Sequence, residues 1–185
     1  TVQYGHSVRV FLAYMNQYQL VPYRRCVEMV SDLTGHTLAE GTVYNSVAHL
    51  ADNLGPFEAA LRQLLLAAFL IHMDETGIRC MGLLMWIHVI STARATLLVP
   101  HRNRGRKALN EIAILPAFRG IVVHDCLAAY DDYDCEHVLC NAHLLRELEF
   151  LADKENSGHA AEMQSLLLDS KACTDRARKR EQKQL

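Results

Sequence analysis

Two short apolar runs in the middle of the chain each end in an aspartate. Phe69–Met73 leads into Asp74, and Ile121–His124 leads into Asp125. Short runs rich in branched and aromatic residues, without helix caps, predict buried strands. Because side chains at the ends of neighbouring strands in an α/β sheet face a common crevice, we expect the two carboxylates to lie close together.

This pair of aspartates has two interpretations. Two neighbouring carboxylates repel each other unless a cation lies between them. Mg²⁺ and Mn²⁺ prefer oxygen ligands, and two such ions about 3.5–4 Å apart can bracket a phosphodiester. An aspartate after a strand is also a common turn or helix-capping residue, and for either aspartate alone that interpretation is favoured. The residues by themselves therefore give the metal site only as a hypothesis.

The flanking segments predict a mixed α/β sheet. Further strands are expected at Met81–Ser91, Ala95–Pro100 and His137–Leu139, and helices at Gly105–Leu115, ended by Pro116, and at Ala142–Asp153. His72, His88 and Trp86 lie on apolar strands, so we expect them in the core. Residues 156–185 have a helical composition, with Met163, Leu166 and Leu167 at core spacing.

The first 68 residues are predicted to be helical. Tyr23–Leu33 follows Pro22, which suits a first turn, and precedes Gly35, which suits a C-cap. A second helix is expected at Glu40–Ala51 and a third at Pro56–Ala68. This order is compatible with a DNA-binding helix-turn-helix and equally with a plain three-helix module.

Composition narrows the classes of protein. The formal charge of −2 argues against a general polyanion binder, although basic residues concentrate at His101–Lys107 and Arg176–Lys183. A solvated loop or tail is the simpler interpretation of those two runs. No apolar run is long enough to cross a membrane, and the six cysteines include no C-x-x-C pair, which predicts reduced thiols.

Five segments from Asp74 to Arg146 carry a family resemblance. In order they are MDETGIR, MWIHVIS, ATLLVPHRNRG, GIVVHDCLAAYDDY and CNAHLLRELEFL. This combination resembles the DDE transposases of bacterial insertion sequences, of the insertion-sequence-66 type. The helical segment before Asp74 also resembles the region that precedes the catalytic domain in that family.

The resemblance implies an RNase H-like mixed sheet flanked by helices, preceded by a small all-α, helix-turn-helix-like region. We expect a possibly DNA-binding helical region over 1–68, an incomplete catalytic core over 69–155 and a helical insertion or charged tail over 156–185. Asp74 would be the first acid and Asp125 the second, together holding Mg²⁺ or Mn²⁺ in a two-metal site. No glutamate is assigned as the third acid, so we expect a fragment that lacks the C-terminal part of the catalytic region.

The resemblance also implies partners. The predicted DNA contacts are Arg102, Arg104, Arg106, Lys107, His143 and Arg146, with the transposon terminal inverted repeats and target DNA as ligands. His143 is expected near the acids, as an orienting or phosphate-contacting group. A homo-oligomer in the bacterial cytoplasm is expected, without membrane association. Zinc at Cys140 and His143 is not favoured, because two more ligands would be needed. The alternatives are an inactive DNA-binding or assembly remnant and another RNase H-like nuclease.

Overall fold

The computed structural model describes the backbone of residues 4–181 and the side chains of residues 4–179. The chain divides into two units, Thr1–Leu61 and Arg62–Leu185. The end of the predicted tail, residues 182–185, lies outside the described residues.

The first unit is helical, as predicted. It contains α1 (His6–Ala13), which continues as a π-helical turn (Tyr14–Tyr18), then α2 (Tyr23–Thr34) and α3 (Glu40–Asn53); α4 (Gly55–Leu66) begins here and ends in the second unit. Gly35 adopts the left-handed conformation expected of a C-cap, with φ of 71°.

Five buried residues from three helices and a connecting loop form the core of this unit: Leu12, Cys26, Val30, Leu38 and Val43. The polar residue Ser46 of α3 is also buried. Its hydroxyl donates to the Thr42 carbonyl at 2.7 Å, so its polar group is satisfied within the helix.

The second unit is built on one five-stranded sheet. The strands are β1 (Leu70–Cys80), β2 (Leu83–Ser91), β3 (Thr96–His101), β4 (Ile121–His124) and β5 (Glu136–Leu139). Their order across the sheet is β3-β2-β1-β4-β5. Strands β1, β2 and β3 form an antiparallel meander, whereas β4 is parallel to β1 and β5 is parallel to β4. This is the RNase H-like mixed sheet that the sequence predicted.

Strand β1 is longer than predicted. It does not end at Asp74 but continues to Cys80, because its second half pairs with β2 as far as Cys80 opposite Leu83. Side chains alternate between faces, so Ile71, Met73 and Glu75 are buried while the residues between them are exposed. His72 is therefore exposed, and its assignment to the core is wrong; His88 on β2 is buried, as expected.

Helices α5 (Arg106–Ile112), α6 (Asn141–Lys154) and α7 (Gly158–Glu181) complete the unit. Helix α5 ends before Pro116, at Ala113 with φ of 60°, and Pro116 lies in a separate 3-10 turn. Met163 and Leu166 of α7 are exposed, which contradicts their predicted core role. Within residues 4–181, no helix has the length and hydrophobicity of a membrane span.

Gly120 lies where the chain enters β4 and tolerates no side chain. A Cβ atom there would lie 2.5 Å from the Phe69 carbonyl oxygen and 2.7 Å from Cζ of Phe118. The same backbone is fixed by two hydrogen bonds, from the Ile121 amide to the Phe69 carbonyl and from the Glu136 amide to the Gly120 carbonyl. Three neighbouring strands thus meet at a position that only glycine fits.

We therefore expect Gly120→Ala to lower the free energy of unfolding by about 1–3 kcal/mol, the usual cost of overpacking. Urea denaturation of the two variants measures the effect. Gly158→Ala is the matched control, because a Cβ atom at Gly158 meets nothing within 4 Å. Equal stability of the two variants would contradict the close approach at Gly120.

Candidate metal centre

Asp74 and Asp125 lie side by side on neighbouring parallel strands. The pairing of β1 with β4 runs from Leu70 opposite Ile121 to His72 opposite Val123. Continuing that register by two residues places Asp74 beside Asp125. Asp74 lies within β1, whereas Asp125 is the first residue after β4. The two carboxylates therefore share the edge of the sheet where β4 ends.

Each aspartate uses one carboxylate oxygen locally. Oδ1 of Asp74 accepts a hydrogen bond from the Glu75 amide, and Oδ1 of Asp125 accepts one from the Leu127 amide, both at 2.9 Å. The turn role that the sequence allowed for Asp125 is thus real. It leaves Oδ2 of each residue directed to other groups, so a turn role and a ligand role are compatible.

His143 brings an imidazole to the same edge. It lies in the first turn of α6, where the Cys140 amide donates to the His124 carbonyl at 2.7 Å and ties the start of the helix to the end of β4. Nε2 of His143 lies 4.0 Å from Oδ2 of Asp74. Its Nδ1 is buried and has no hydrogen-bond partner among residues 4–179. One ligand atom from each of Asp74, Asp125 and His143 lies within 4.8 Å of the others.

This group fits a divalent cation. Two carboxylates repel each other until a positive charge is placed between them. Each of the three residues can offer one ligand atom, and both carboxylates offer the hard oxygen that Mg²⁺ and Mn²⁺ prefer.

Directly behind the aspartates lies a buried ionic network. The side chain of Glu75 is fully buried on the opposite face of β1 from Asp74. Its Oε1 accepts a hydrogen bond from Nε of Arg104, and its Oε2 accepts one from the Tyr130 hydroxyl, both at 2.7 Å. The two partners thus satisfy both oxygens of a carboxylate that lies away from water.

Arg104 joins this network to Asp125. Its second guanidinium nitrogen, Nη2, lies 3.4 Å from Oδ2 of Asp125, and its guanidinium carbon lies 5.1 Å from the Trp86 ring centre, a cation–π distance. The hydrogen bond to Glu75 raises the pKa of the Arg104 guanidinium above its ordinary value. Burial, reinforced by the hydrogen bond to Glu75, raises the pKa of the Tyr130 hydroxyl far above its ordinary value. Both donors therefore keep their protons.

The family model described as "Transposase IS66 family" matches residues 1–185. The chain belongs to the IS66 transposase family. The second unit is the catalytic region of a DDE transposase, as the sequence segments implied. No curated protein matches the chain.

Two solved structures of retroviral proteins are similar to this transposase at low identity. The HTLV-2 integrase catalytic core domain in complex with magnesium is 14% identical, with a TM-score of 0.31, over 51% of this chain and 81% of that chain. A simian T-cell lymphotropic virus intasome, in complex with PP2A regulatory subunit B56 gamma, is 16% identical, with a TM-score of 0.34, over 83% of this chain and 64% of that chain.

The six residues predicted to contact DNA differ in their surroundings. Arg104 is engaged by Glu75 and Asp125, and Arg106 pairs with Asp132. His143 lies with the aspartates. Arg102, Lys107 and Arg146 are exposed. In the basic run His101–Lys107, Arg104 therefore contacts acidic side chains, whereas Arg102, Arg106 and Lys107 are exposed to solvent.

Among residues 4–179, Cys140 belongs to neither of the two groups of three or more possible metal ligands. Neither group adds a third carboxylate to Asp74 and Asp125. The third position at this edge is held by His143.

Sequence reasoning missed Glu75 and Tyr130. Glu75 follows Asp74 directly, and the period-two alternation of a strand that continued past Asp74 would have turned it inward. Its partners are distant in the chain, and no local pattern connects Glu75 with Arg104 or Tyr130. His143, which was expected near the acids, has its Nε2 4.0 Å from Oδ2 of Asp74.

We expect Arg104→Ala to destabilise the transposase by about 3 kcal/mol, because it leaves the buried Glu75 carboxylate without its charged partner. Arg106→Ala is the matched control. The Arg106–Asp132 pair is largely exposed, so its loss should change stability by less than about 1 kcal/mol. Urea denaturation of both variants provides the measurement, and a smaller loss for Arg104→Ala than for Arg106→Ala would contradict the network.

Proposed function

We propose that this region of the transposase binds Mg²⁺ or Mn²⁺ through Asp74 and Asp125 and cleaves and joins phosphodiesters at the ends of an insertion sequence. The observation that carries the proposal is the meeting of Asp74, Asp125 and His143, whose ligand atoms lie within 4.8 Å of one another. A bound pair of ions would acidify the attacking hydroxyl and stabilise the leaving oxygen.

We assign a separate role in this site to the two aspartates, to Arg104 and to His143. Asp74 and Asp125 would hold the cations through carboxylate oxygens. Oδ1 of each already accepts a backbone amide, and Oδ2 of Asp125 also lies 3.4 Å from Nη2 of Arg104. Arg104 acts as a positioning residue, because its hydrogen bond to Glu75 holds its guanidinium beside Oδ2 of Asp125. His143 supplies either a nitrogen ligand or a donor to a phosphate oxygen.

DNA binding is proposed for the exposed basic side chains around the site. Arg102, Arg106 and Lys107 belong to the loop and first turn between β3 and α5, and Arg146 lies one turn after His143 on α6. Contacts of this kind neutralise backbone phosphates and make affinity fall with salt. The proposed substrates are terminal inverted repeats and target DNA, bound by a homo-oligomer in the bacterial cytoplasm.

A second candidate function is DNA binding without cleavage. It is favoured by one observation: among the described side chains, no third carboxylate joins the two aspartates. A DDE site uses three acids, so a chain with two would bind metal more weakly and hold DNA ends without cutting them. The two functions share the same fold and differ in the presence of cleavage.

Metal binding can be measured through Trp86, the only tryptophan of the chain. Because Arg104 contacts both Trp86 and Asp125, Mn²⁺ bound at Asp125 should change the fluorescence of this indole. We expect Asp74→Asn and Asp125→Asn each to weaken Mn²⁺ binding at least about tenfold. The control is Asp169→Asn, an exposed aspartate on α7. Unchanged Mn²⁺ affinity in both Asp74→Asn and Asp125→Asn would contradict the proposed metal centre.

Cleavage decides between the two functions. We expect the chain to nick labelled duplexes that carry terminal inverted repeats in Mn²⁺, and to lose that activity in Asp74→Asn and Asp125→Asn. Gel-shift assays of the same duplexes report binding separately. Salt-dependent binding without nicking would support the second function, and nicking of branched DNA of any sequence would indicate a different RNase H-like nuclease.

A further inference from the structure

A second group of possible metal ligands lies on the other side of Asp125. It consists of His124 at the end of β4, His137 on β5 and Asp131 in the loop between these strands. His124 is fully buried, His137 is half-buried and Asp131 is exposed. The proposed metal-dependent chemistry does not use any of the three.

The outer nitrogens of the two imidazoles each face a backbone carbonyl. Nδ1 of His124 is hydrogen-bonded to the Asp125 carbonyl oxygen, and Nε2 of His137 lies 3.0 Å from the Tyr133 carbonyl oxygen. A carbonyl oxygen only accepts hydrogen bonds, so each outer nitrogen carries the hydrogen. The tautomers of both rings are thereby assigned from their partners.

The inner nitrogens face each other. Nε2 of His124 and Nδ1 of His137 are 3.0 Å apart. In two neutral rings whose outer nitrogens carry the hydrogens, both inner nitrogens present lone pairs. Two lone pairs at this distance repel each other, so the arrangement needs a positive charge between them. That charge is either an extra proton shared by the rings or a metal ion.

We infer that His124, His137 and Asp131 form a binding site for a transition-metal ion of the Zn²⁺ class. Imidazole nitrogens with one carboxylate oxygen suit such an ion, and water would complete a tetrahedron. Two nitrogens bound to one tetrahedral Zn²⁺ are separated by roughly 3.3 Å, close to the separation of the inner nitrogens. Asp131 has a carboxylate oxygen within 4.8 Å of both rings and is exposed, so it can turn toward the ion.

The surroundings of the pair match those of metal-binding histidines. Such histidines usually donate their second ring hydrogen to a carbonyl or carboxylate, and both of these rings face a carbonyl. The His124 ring also stacks on Tyr130, with ring centres 4.6 Å apart, which fixes its plane. Cys135 lies 3.6 Å from His137, but on the side of Nε2, and burial raises the pKa of its thiol. A thiol that keeps its proton is a poor ligand, so Cys135 is left outside the set.

A metal ion here would act on the proposed catalytic edge through the backbone. It would join the end of β4, the loop after Asp125 and β5, while His124 donates to the carbonyl of Asp125 itself. The ion would therefore be structural, holding the segment that carries the second acid. This site goes beyond the proposed function and does not depend on it.

Zinc content of the whole chain tests the site. After loading with equimolar Zn²⁺ and gel filtration in excess Mg²⁺, we expect one Zn²⁺ per chain by mass spectrometry of the metal. Asp131→Asn should weaken Zn²⁺ binding at least about tenfold, measured by competition with a chromogenic chelator. His137→Ala should weaken it further. Because Asp131 is exposed, its variant stays informative if His137→Ala fails to fold.

Two control variants separate this site from its neighbours. Asp74→Asn removes a ligand of the proposed Mg²⁺ or Mn²⁺ centre and should retain the Zn²⁺, and Cys135→Ser should retain it as well. X-ray absorption should show nitrogen and oxygen neighbours only. The inference is overturned if the wild-type chain retains no Zn²⁺, which leaves a shared proton only, if sulfur appears among the ligands, or if Asp74→Asn loses the ion while Asp131→Asn keeps it.

Discussion

The central strand of the sheet carries two acids in succession, and the rest of the site depends on their opposite directions. Alternation along β1 exposes Asp74 at the sheet edge and buries Glu75 on the other face. Without a counter-ion, the buried carboxylate would cost several kcal/mol. Arg104 stabilises it, and the same guanidinium also lies beside the carboxylate of Asp125.

The two groups of possible metal ligands, Asp74–Asp125–His143 and His124–Asp131–His137, differ in their donor atoms and therefore in the ion that each is proposed to bind. His143 lies with two carboxylates, a largely oxygen environment that favours a hard, labile ion. His124 and His137 face each other with a single carboxylate nearby, which favours an ion that binds nitrogen strongly. Asp125 connects the two clusters, because its carboxylate belongs to the first and its carbonyl oxygen is hydrogen-bonded to His124 of the second.

Local patterns in the sequence were sufficient to predict most helices and strands, but they did not predict the buried network of Glu75, Arg104 and Tyr130. The run Ile121–His124 forms a strand with the predicted bounds, because its branched apolar residues favour that structure. Gly35 ends α2 because the C-cap position requires a left-handed backbone conformation, which glycine adopts easily. The continuation of β1 past Asp74 was missed because Glu75–Cys80 contains polar residues and a glycine, and its strand form depends on β2. Met163 and Leu166 have core spacing but are exposed, which periodicity alone does not reveal.

The continuation of β1 makes the two acids mechanically unequal. Asp74 lies inside a strand that is hydrogen-bonded to β2 on both sides of it, so its Cα position is as stiff as the sheet itself. Asp125 stands where β4 has already ended and the chain turns into a loop. If the proposed ions bind, we expect any change in the spacing of the two carboxylates to come from Asp125 and the loop after it rather than from Asp74.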